Sequence, residues 1–126
     1  MAEHEKVNIL LVDDQPAKLL SYEVILHELG ENLIKASSGQ EALEYLLKTE
    51  VAVVLMDIMM PQMDGYQTIG VIRENPEFRR LPIIALTAKA MKGDREKCLE
   101  AGASDYLAKP VNTEQLLLAI RMWLHR

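Results

Sequence analysis

The sequence holds a single cysteine, Cys98, so no internal disulfide can form, and nothing points to the oxidising compartments where small disulfide-stapled domains occur. Aromatic residues make up only 5% of the chain. No apolar stretch approaches the length of a membrane span or follows a basic, signal-like start, so neither a membrane partner nor export is expected. Positive charge is also scarce: 14 Lys and Arg against 19 Asp and Glu leave a net charge of -5, and the basic residues are scattered. A nucleic-acid-binding domain normally carries a basic patch, so DNA or RNA is not expected as a direct partner. Internal repeats, linkers and low-complexity segments are missing too. What remains is a cytoplasmic chain of 126 residues, enough for one domain with its own core.

Aliphatic residues and methionine abound, and they fall in short blocks. Val51 to Asp57 is an unalternating apolar run that ends in a carboxylate, as expected of a central parallel strand covered on both faces. Val7 to Asp13 repeats the pattern and ends in the acid pair Asp13-Asp14. Between them, Pro16 suits a first helical turn, and Leu19, Leu20, Val24, Ile25, Leu26 and Leu29 carry a broad apolar face up to Gly30. Asn32 to Ser37 reads as a strand. Ser38-Gly-Gln-Glu41 reads as a capping box that opens a helix with Ala42, Leu43, Leu46 and Leu47. Regularity breaks from Pro61 to Gly65, where Asp64 reads as turn chemistry, and Tyr66, Ile69, Ile72 and Arg73 then suggest a helix ending near Asn75-Pro76. Leu81 to Thr87 is the fourth strand, Lys89 to Ala101 a helix stopped by Gly102, and Asp105 to Lys109 a short fifth strand. Asn112 caps a last helix, with Val111 placed to staple onto Leu116.

Strand and helix alternate along the whole chain, with connections too short for anything but crossovers, which predicts an α/β doubly wound parallel sheet with helices on both faces. A flavodoxin-like (βα)5 arrangement with strand order 2-1-3-4-5 sets the first and third strands side by side at the switch point, where ligands bind. Asp13, Asp14 and Asp57 then share one crevice. Adjacent carboxylates there repel by about 4 kcal/mol per pair at intermediate dielectric, which calls for a divalent cation. All-oxygen donors favour Mg²⁺, with Mn²⁺ also accommodated, and no histidine or cysteine lies in these loops to favour zinc. Thr87 and Lys109 end the fourth and fifth strands at the same edge. A hydroxyl donor and a positive charge beside a metal suit phosphoryl transfer.

Five ordered segments, Leu11 to Asp14, Leu55 to Pro61, Met63 to Gly65, Leu86 to Ala88 and Tyr106 to Pro110, give the chain a resemblance to the receiver domain of two-component response regulators. The likeness runs from Val7 to Leu124, with residues 1–6 as a tail and 7–126 as the receiver domain. The stretches Ala88 to Asp94 and Gly102 to Asp105 look like those of receivers attached to hybrid histidine kinases. The resemblance implies that Asp57 accepts a phosphoryl group from the phosphohistidine of a histidine kinase or histidine phosphotransfer protein. It also implies that Asp14, Asp57 and the backbone carbonyl of Met59 hold Mg²⁺, with Asp13 acting through a metal-bound water. Lys109 would pair with phosphoryl oxygens ahead of a cis bond to Pro110. Thr87 would turn toward the new phosphoryl group and Tyr106 rotate inward, switching the surface of helix 4, strand 5 and helix 5. Such a domain is not a conventional enzyme; it organises its own phosphorylation and slow dephosphorylation. Met59 and Lys89 occupy the positions that tune phosphoryl lifetime in this family, and neither offers a carboxylate or amide to orient water.

Other classes stay in view. A small acid-pair, magnesium-dependent phosphatase would use Asp57 or Asp13 as nucleophile, but needs a substrate-enclosing cap for which 126 residues leave no room. A flavin or nucleotide binder would need a Gly-rich loop where Asp13-Asp14-Gln15-Pro16 stands. The third is a phosphorylation-independent interaction module. In the last helix, Leu116, Leu117, Ala119, Ile120, Trp123 and Leu124 share one broad arc, while Leu118 and Met122 fall opposite. That outlying pair reads either as inert surface or as a contact with a partner domain or a second copy through helices 4 and 5.

Overall fold

The inner apolar blocks become strands because their side chains can be buried on both faces, and each strand is followed by a helix that helps to cover the sheet. The computed structural model describes residues 5–59, 64–87 and 92–125, and of residues 92–94 the backbone only. The strands are β1 (Asn8–Val12), β2 (Asn32–Ala36), β3 (Val53–Asp57), β4 (Ile83–Thr87) and β5 (Asp105–Ala108). They form one parallel sheet in the expected order β2-β1-β3-β4-β5. The helices are α1 (Pro16–Leu26), α2 (Gly39–Lys48), α3 (Gly65–Glu74), α4 (Lys92–Ala101) and α5 (Thr113–Leu124), with 3-10 turns at His27–Leu29 and Pro76–Phe78. Among the described residues no helix is long and apolar enough to cross a membrane.

The pleat sends alternate strand residues into two cores. Leu10, Val12, Val54, Met56, Ile83 and Ala85 pack with Ala42, Leu46, Ile69, Ile72 and Cys98 beneath α2, α3 and α4. Ile9, Leu11, Val53, Leu55, Ile84 and Leu86 pack with Leu19, Tyr22, Leu26, Leu116 and Ile120 beneath α1 and α5. Burial on both faces is why β3 and β4 show no polar alternation.

Several boundaries differ from the sequence reading. The regular part of β3 starts at Val53 rather than Val51, and that of β4 at Ile83 rather than Leu81. The backbone of the preceding residues still joins the ladder: Ala52 N–H reaches the Asn8 carbonyl at 2.8 Å and Pro82 O accepts from Val54 at 2.9 Å. β2 stops at Ala36 and β5 at Ala108, which leaves Lys109 just past the strand. The apolar face of α1 is narrower than its sequence suggests. Leu19, Tyr22 and Leu26 face the sheet, whereas Leu20 and Val24 are 57% and 68% exposed, because a helix lying on a sheet buries one stripe only. Leu47 on α2 is likewise exposed. Residues 61–63 of the expected break and 89–91 of the expected fourth helix lie outside the described residues, as do residues 1–4 of the expected tail.

Helix ends follow local chemistry. Gly30 adopts φ 70° and its N–H bonds the His27 carbonyl, the glycine stop expected there. Gly102, at φ 115°, closes α4 through its N–H to the Leu99 carbonyl at 3.1 Å. Ser38 Oγ accepts from Glu41 N–H at 3.1 Å, but the Glu41 carboxylate reaches back to Ser37 N–H rather than to Ser38, so the expected reciprocal box is shifted by one residue. The full capping box stands instead at Asp64, whose carboxylate accepts from Gln67 N–H at 2.8 Å while the Gln67 side chain accepts from Asp64 N–H at 3.2 Å. Asn112 caps α5 as expected, accepting from Gln115 N–H at 3.1 Å.

Candidate functional site

Sheet register assembles the candidate residues along one edge. Val12 pairs with Met56, Asp57 with Leu86, and Thr87 with Ala108. The residues following β1, ending β3, ending β4 and following β5 therefore stand level at the carboxyl ends of the strands. Asp13, Asp14, Asp57, Thr87 and Lys109 are those residues. The ladder continues past the strands to fix them, with Ile58 N–H to Leu86 O at 3.0 Å and Lys109 N–H to Thr87 O at 2.7 Å. Gly65 brings α3 against this edge: its N–H bonds the Ile58 carbonyl at 3.0 Å, and a Cβ there would lie 2.5 Å from Asp57 O and 2.6 Å from Ile58 Cα. Only glycine permits that approach.

Asp13, Asp14 and Asp57 each offer a carboxylate oxygen within 4.8 Å of the others. Asp57 is 2% exposed, and its Oδ1 accepts from Lys109 Nζ at 2.5 Å and from Met59 N–H at 3.2 Å. Asp13 is fully buried; its Oδ1 accepts from Gln15 N–H at 2.9 Å and its Oδ2 from the Tyr22 hydroxyl at 3.3 Å. Burial pushes the Asp13 carboxyl above the ordinary carboxylate range, against the Gln15 hydrogen bond, and the charges of Asp57 and Asp14 add to the rise while Lys109 opposes it. The Tyr22 phenol is pushed up as well, first by burial and then by the negative charges of Asp13 and Asp57. Asp14 Oδ1 is buried and finds no hydrogen-bond partner among the described residues.

A buried carboxylate oxygen without a donor, within a cluster of three acids, is the condition a divalent cation relieves. The donors are all oxygen, so the residues fit Mg²⁺, which takes one or two carboxylates and completes its shell with water. Thr87 is buried at the same edge. The Lys109–Pro110 peptide is cis, as the resemblance implies. Tyr106 is half-buried against the α2, α3 and α4 core, with the Arg95 guanidinium 5.6 Å from its ring centre. Met59 is exposed beside the site.

Sequence reasoning missed two supporting residues. Tyr22 sits on the buried α1 face three residues after Leu19 and four before Leu26, but it was absent from the apolar face expected of this helix, and nothing in that spacing announces that its hydroxyl meets Asp13. Arg73 is half-buried and has backbone partners rather than a carboxylate: it donates to Phe78 O at 2.6 Å, Gly102 O at 2.9 Å and Arg79 O at 3.3 Å, and to Ser104 Oγ at 3.3 Å. Burial lowers its pKa. It fastens the end of α3 to the loop that leads into β5.

Known proteins resemble this chain in sequence and in fold. The signal transduction histidine-protein kinase BarA of Shigella flexneri is 41% identical over 110 residues, covering 87% of this chain and 12% of BarA. Response regulator Rre1 of a Synechocystis strain is 38% identical over 123 residues, covering 97% of this chain and 53% of Rre1. The chain thus spans only part of the length of these relatives. Among solved structures, the receiver domain of the sensor histidine kinase PA1611 from Pseudomonas aeruginosa, with a magnesium ion coordinated in its active-site cleft, superimposes with a TM-score of 0.88 at 38% identity. That match covers 97% of this chain and all of the other. The family model described as response regulator receiver domain matches residues 9–121. With nearly the whole sheet and every strand-end acid inside that match, this chain belongs to the receiver domain family of two-component systems.

Proposed function

We propose that this receiver domain accepts a phosphoryl group on Asp57 from a phosphohistidine of a histidine kinase or a histidine phosphotransfer protein, in the cytoplasm. The observation that carries the reading is the contact of Asp57 Oδ1 with Lys109 Nζ at 2.5 Å inside the cluster with Asp13 and Asp14. A carboxylate oxygen of Asp57 attacks phosphorus; the O–P bond forms, the P–N bond breaks, and the imidazole leaves to be reprotonated from water. Lys109 then exchanges the Asp57 carboxylate for a phosphoryl oxygen, and the Thr87 hydroxyl turns to donate to another. Asp14, Asp57 and the Met59 carbonyl would hold Mg²⁺, or Mn²⁺, with Asp13 reached through water. When bound, the ion supplies charge neutralisation for the phosphoryl oxygens. The magnesium ion coordinated in the active-site cleft of the PA1611 receiver supports a magnesium site here.

Inward rotation of Tyr106 carries the change to the face formed by α4, β5 and α5, where a second copy or a partner domain would dock. The domain, residues 7–126 behind a tail of residues 1–6, organises its own phosphorylation. Its dephosphorylation is slow, because the Met59 side chain cannot orient a hydrolytic water; Lys89, the other residue at issue, lies outside the described residues. The test is incubation with acetyl phosphate and Mg²⁺, followed by intact-mass measurement. A single phosphoryl adduct is expected on the wild type, absent from Asp57→Asn and absent in EDTA. No adduct under any donor would favour the phosphorylation-independent interaction module, and catalytic turnover of phosphate esters the acid-pair phosphatase.

A further inference from the structure

We propose that Tyr22 is a positioning residue of the acid edge, holding the Asp13 carboxylate in the cluster so that the site binds a divalent cation. The inference rests on the reading of Asp13, Asp14 and Asp57 as a cation site. Side chains on a helix lean back toward its N-terminus, so a tyrosine on the second turn of α1 lies over the turn that starts the helix. α1 starts at Pro16, directly after the acid pair, and the sheet-facing line Leu19, Tyr22, Leu26 aims the ring at the end of β1. The ring is buried among apolar neighbours, and its hydroxyl finds Asp13 Oδ2 at 3.3 Å.

The arrangement divides the acid pair. Both oxygens of Asp13 have protein donors, from Gln15 N–H and from Tyr22, whereas Asp14 Oδ1 has none among the described residues. Carboxylates this close repel, and each would rotate or withdraw if unrestrained. The two donors, one from the N-cap Gln15 and one from Tyr22 on the second turn of α1, keep Asp13 converged on its neighbours without consuming the Asp14 oxygen. Convergence before the cation arrives is the part of binding that the protein contributes, and outer partners of this kind are worth about 10- to 100-fold in metal affinity. A purely structural tyrosine would fill the α1 face equally well as phenylalanine, since the ring and not the hydroxyl does the packing.

The experiment is a Mg²⁺ titration followed by backbone amide NMR shifts, on wild type, Tyr22→Phe, Asp13→Asn and the double variant, with urea unfolding of each in EDTA. Tyr22→Phe is expected to weaken Mg²⁺ about tenfold, and to add nothing further in the Asp13→Asn background. Unchanged or tighter Mg²⁺ binding by Tyr22→Phe overturns the inference, as does an equal loss in both backgrounds. Should Tyr22→Phe not fold, Tyr22→Leu enters the same cycle with the same expected outcomes. Failure of Tyr22 alone leaves wild-type Mg²⁺ binding and Asp57 phosphorylation intact, whereas a wild type without saturable Mg²⁺ binding overturns this inference and the cation site together.

Discussion

Asp13 carries an electrostatic cost at the acid edge, because it is fully buried beside two other carboxylates, against which it accepts hydrogen bonds from Gln15 and Tyr22. Its carboxyl is raised above its unfolded value, chiefly by burial. A raised carboxyl contributes stability that is fully present below the unfolded pKa, about 3.9, and is lost as pH rises through the folded value. At neutral pH in EDTA, burial of the Asp13 carboxyl is therefore a liability. Asp13→Asn is expected to unfold at higher urea than wild type at pH 7, with the difference shrinking to nothing as pH falls below 4, and the ranking narrowing or reversing when saturating Mg²⁺ stabilises the wild type. A variant less stable than wild type at pH 7 in EDTA would show that the Tyr22 and Gln15 donors outweigh desolvation. At this scale the sequence was legible at the strand ends: Asp13, Asp14, Asp57 and Thr87 stand at the ends their strands predicted, and Lys109 one residue past β5 rather than on it. Tyr22 and Arg73 were not, since their roles come from where a hydroxyl or guanidinium ends up across the fold, at Asp13 in one case and at Gly102 in the other.

Elements were read from two kinds of signal, and only one sets boundaries well. Apolar blocks fixed the existence and order of the strands but not where regular pairing starts, because a flanking residue such as Ala52 can join the ladder without extending the strand. Apolar periodicity overestimated α1, where Leu20 and Val24 are outside the sheet-facing stripe. Caps were more informative, although Asp64 shows how a helix start hides in a turn: Asp-Gly is a turn signature, and only the Gln67 partner makes it a capping box. Gly65, the next residue, sets how closely α3 approaches β3. Adding a methyl would place it 2.5 Å from Asp57 O and 2.6 Å from Ile58 Cα, both backbone atoms that cannot swing away. Gly65→Ala is expected to destabilise the domain by about 1–3 kcal/mol, the usual cost of overpacking. It should also displace the end of β3, so Mg²⁺ affinity should fall alongside the urea midpoint. A variant with wild-type stability would mean that α3 can shift as a rigid unit.

For the whole molecule, the proposed phosphorylation of Asp57 would need a surface through which to reach a partner, and α5 is the element with surface to spare. Its buried arc, Leu116, Leu117, Ala119 and Ile120, anchors it to the sheet, and Trp123 Nε1–H donates to Asp105 Oδ2 at 3.2 Å, tying it to the start of β5. Leu118 and Met122 take no part in that anchoring; they are 65% and 55% exposed and border a shallow depression with Tyr106 and Leu107. Because the exposed pair adds little to folding, replacing both with glutamate should change stability by no more than about 0.5 kcal/mol each, including the small penalty of negative charge near a helix C-terminus. Recognition is where the substitution should matter, since two charges would have to be desolvated in any interface built on that depression. In Mg²⁺ and beryllofluoride, which mimic a phosphorylated aspartate site, the Leu118→Glu, Met122→Glu double variant is expected to self-associate less than wild type by sedimentation velocity, or to bind a phosphotransfer partner more weakly by titration, while matching wild type in its reaction with acetyl phosphate. Sedimentation and partner affinity both equal to wild type would make the pair inert surface and move the output of this domain to another face.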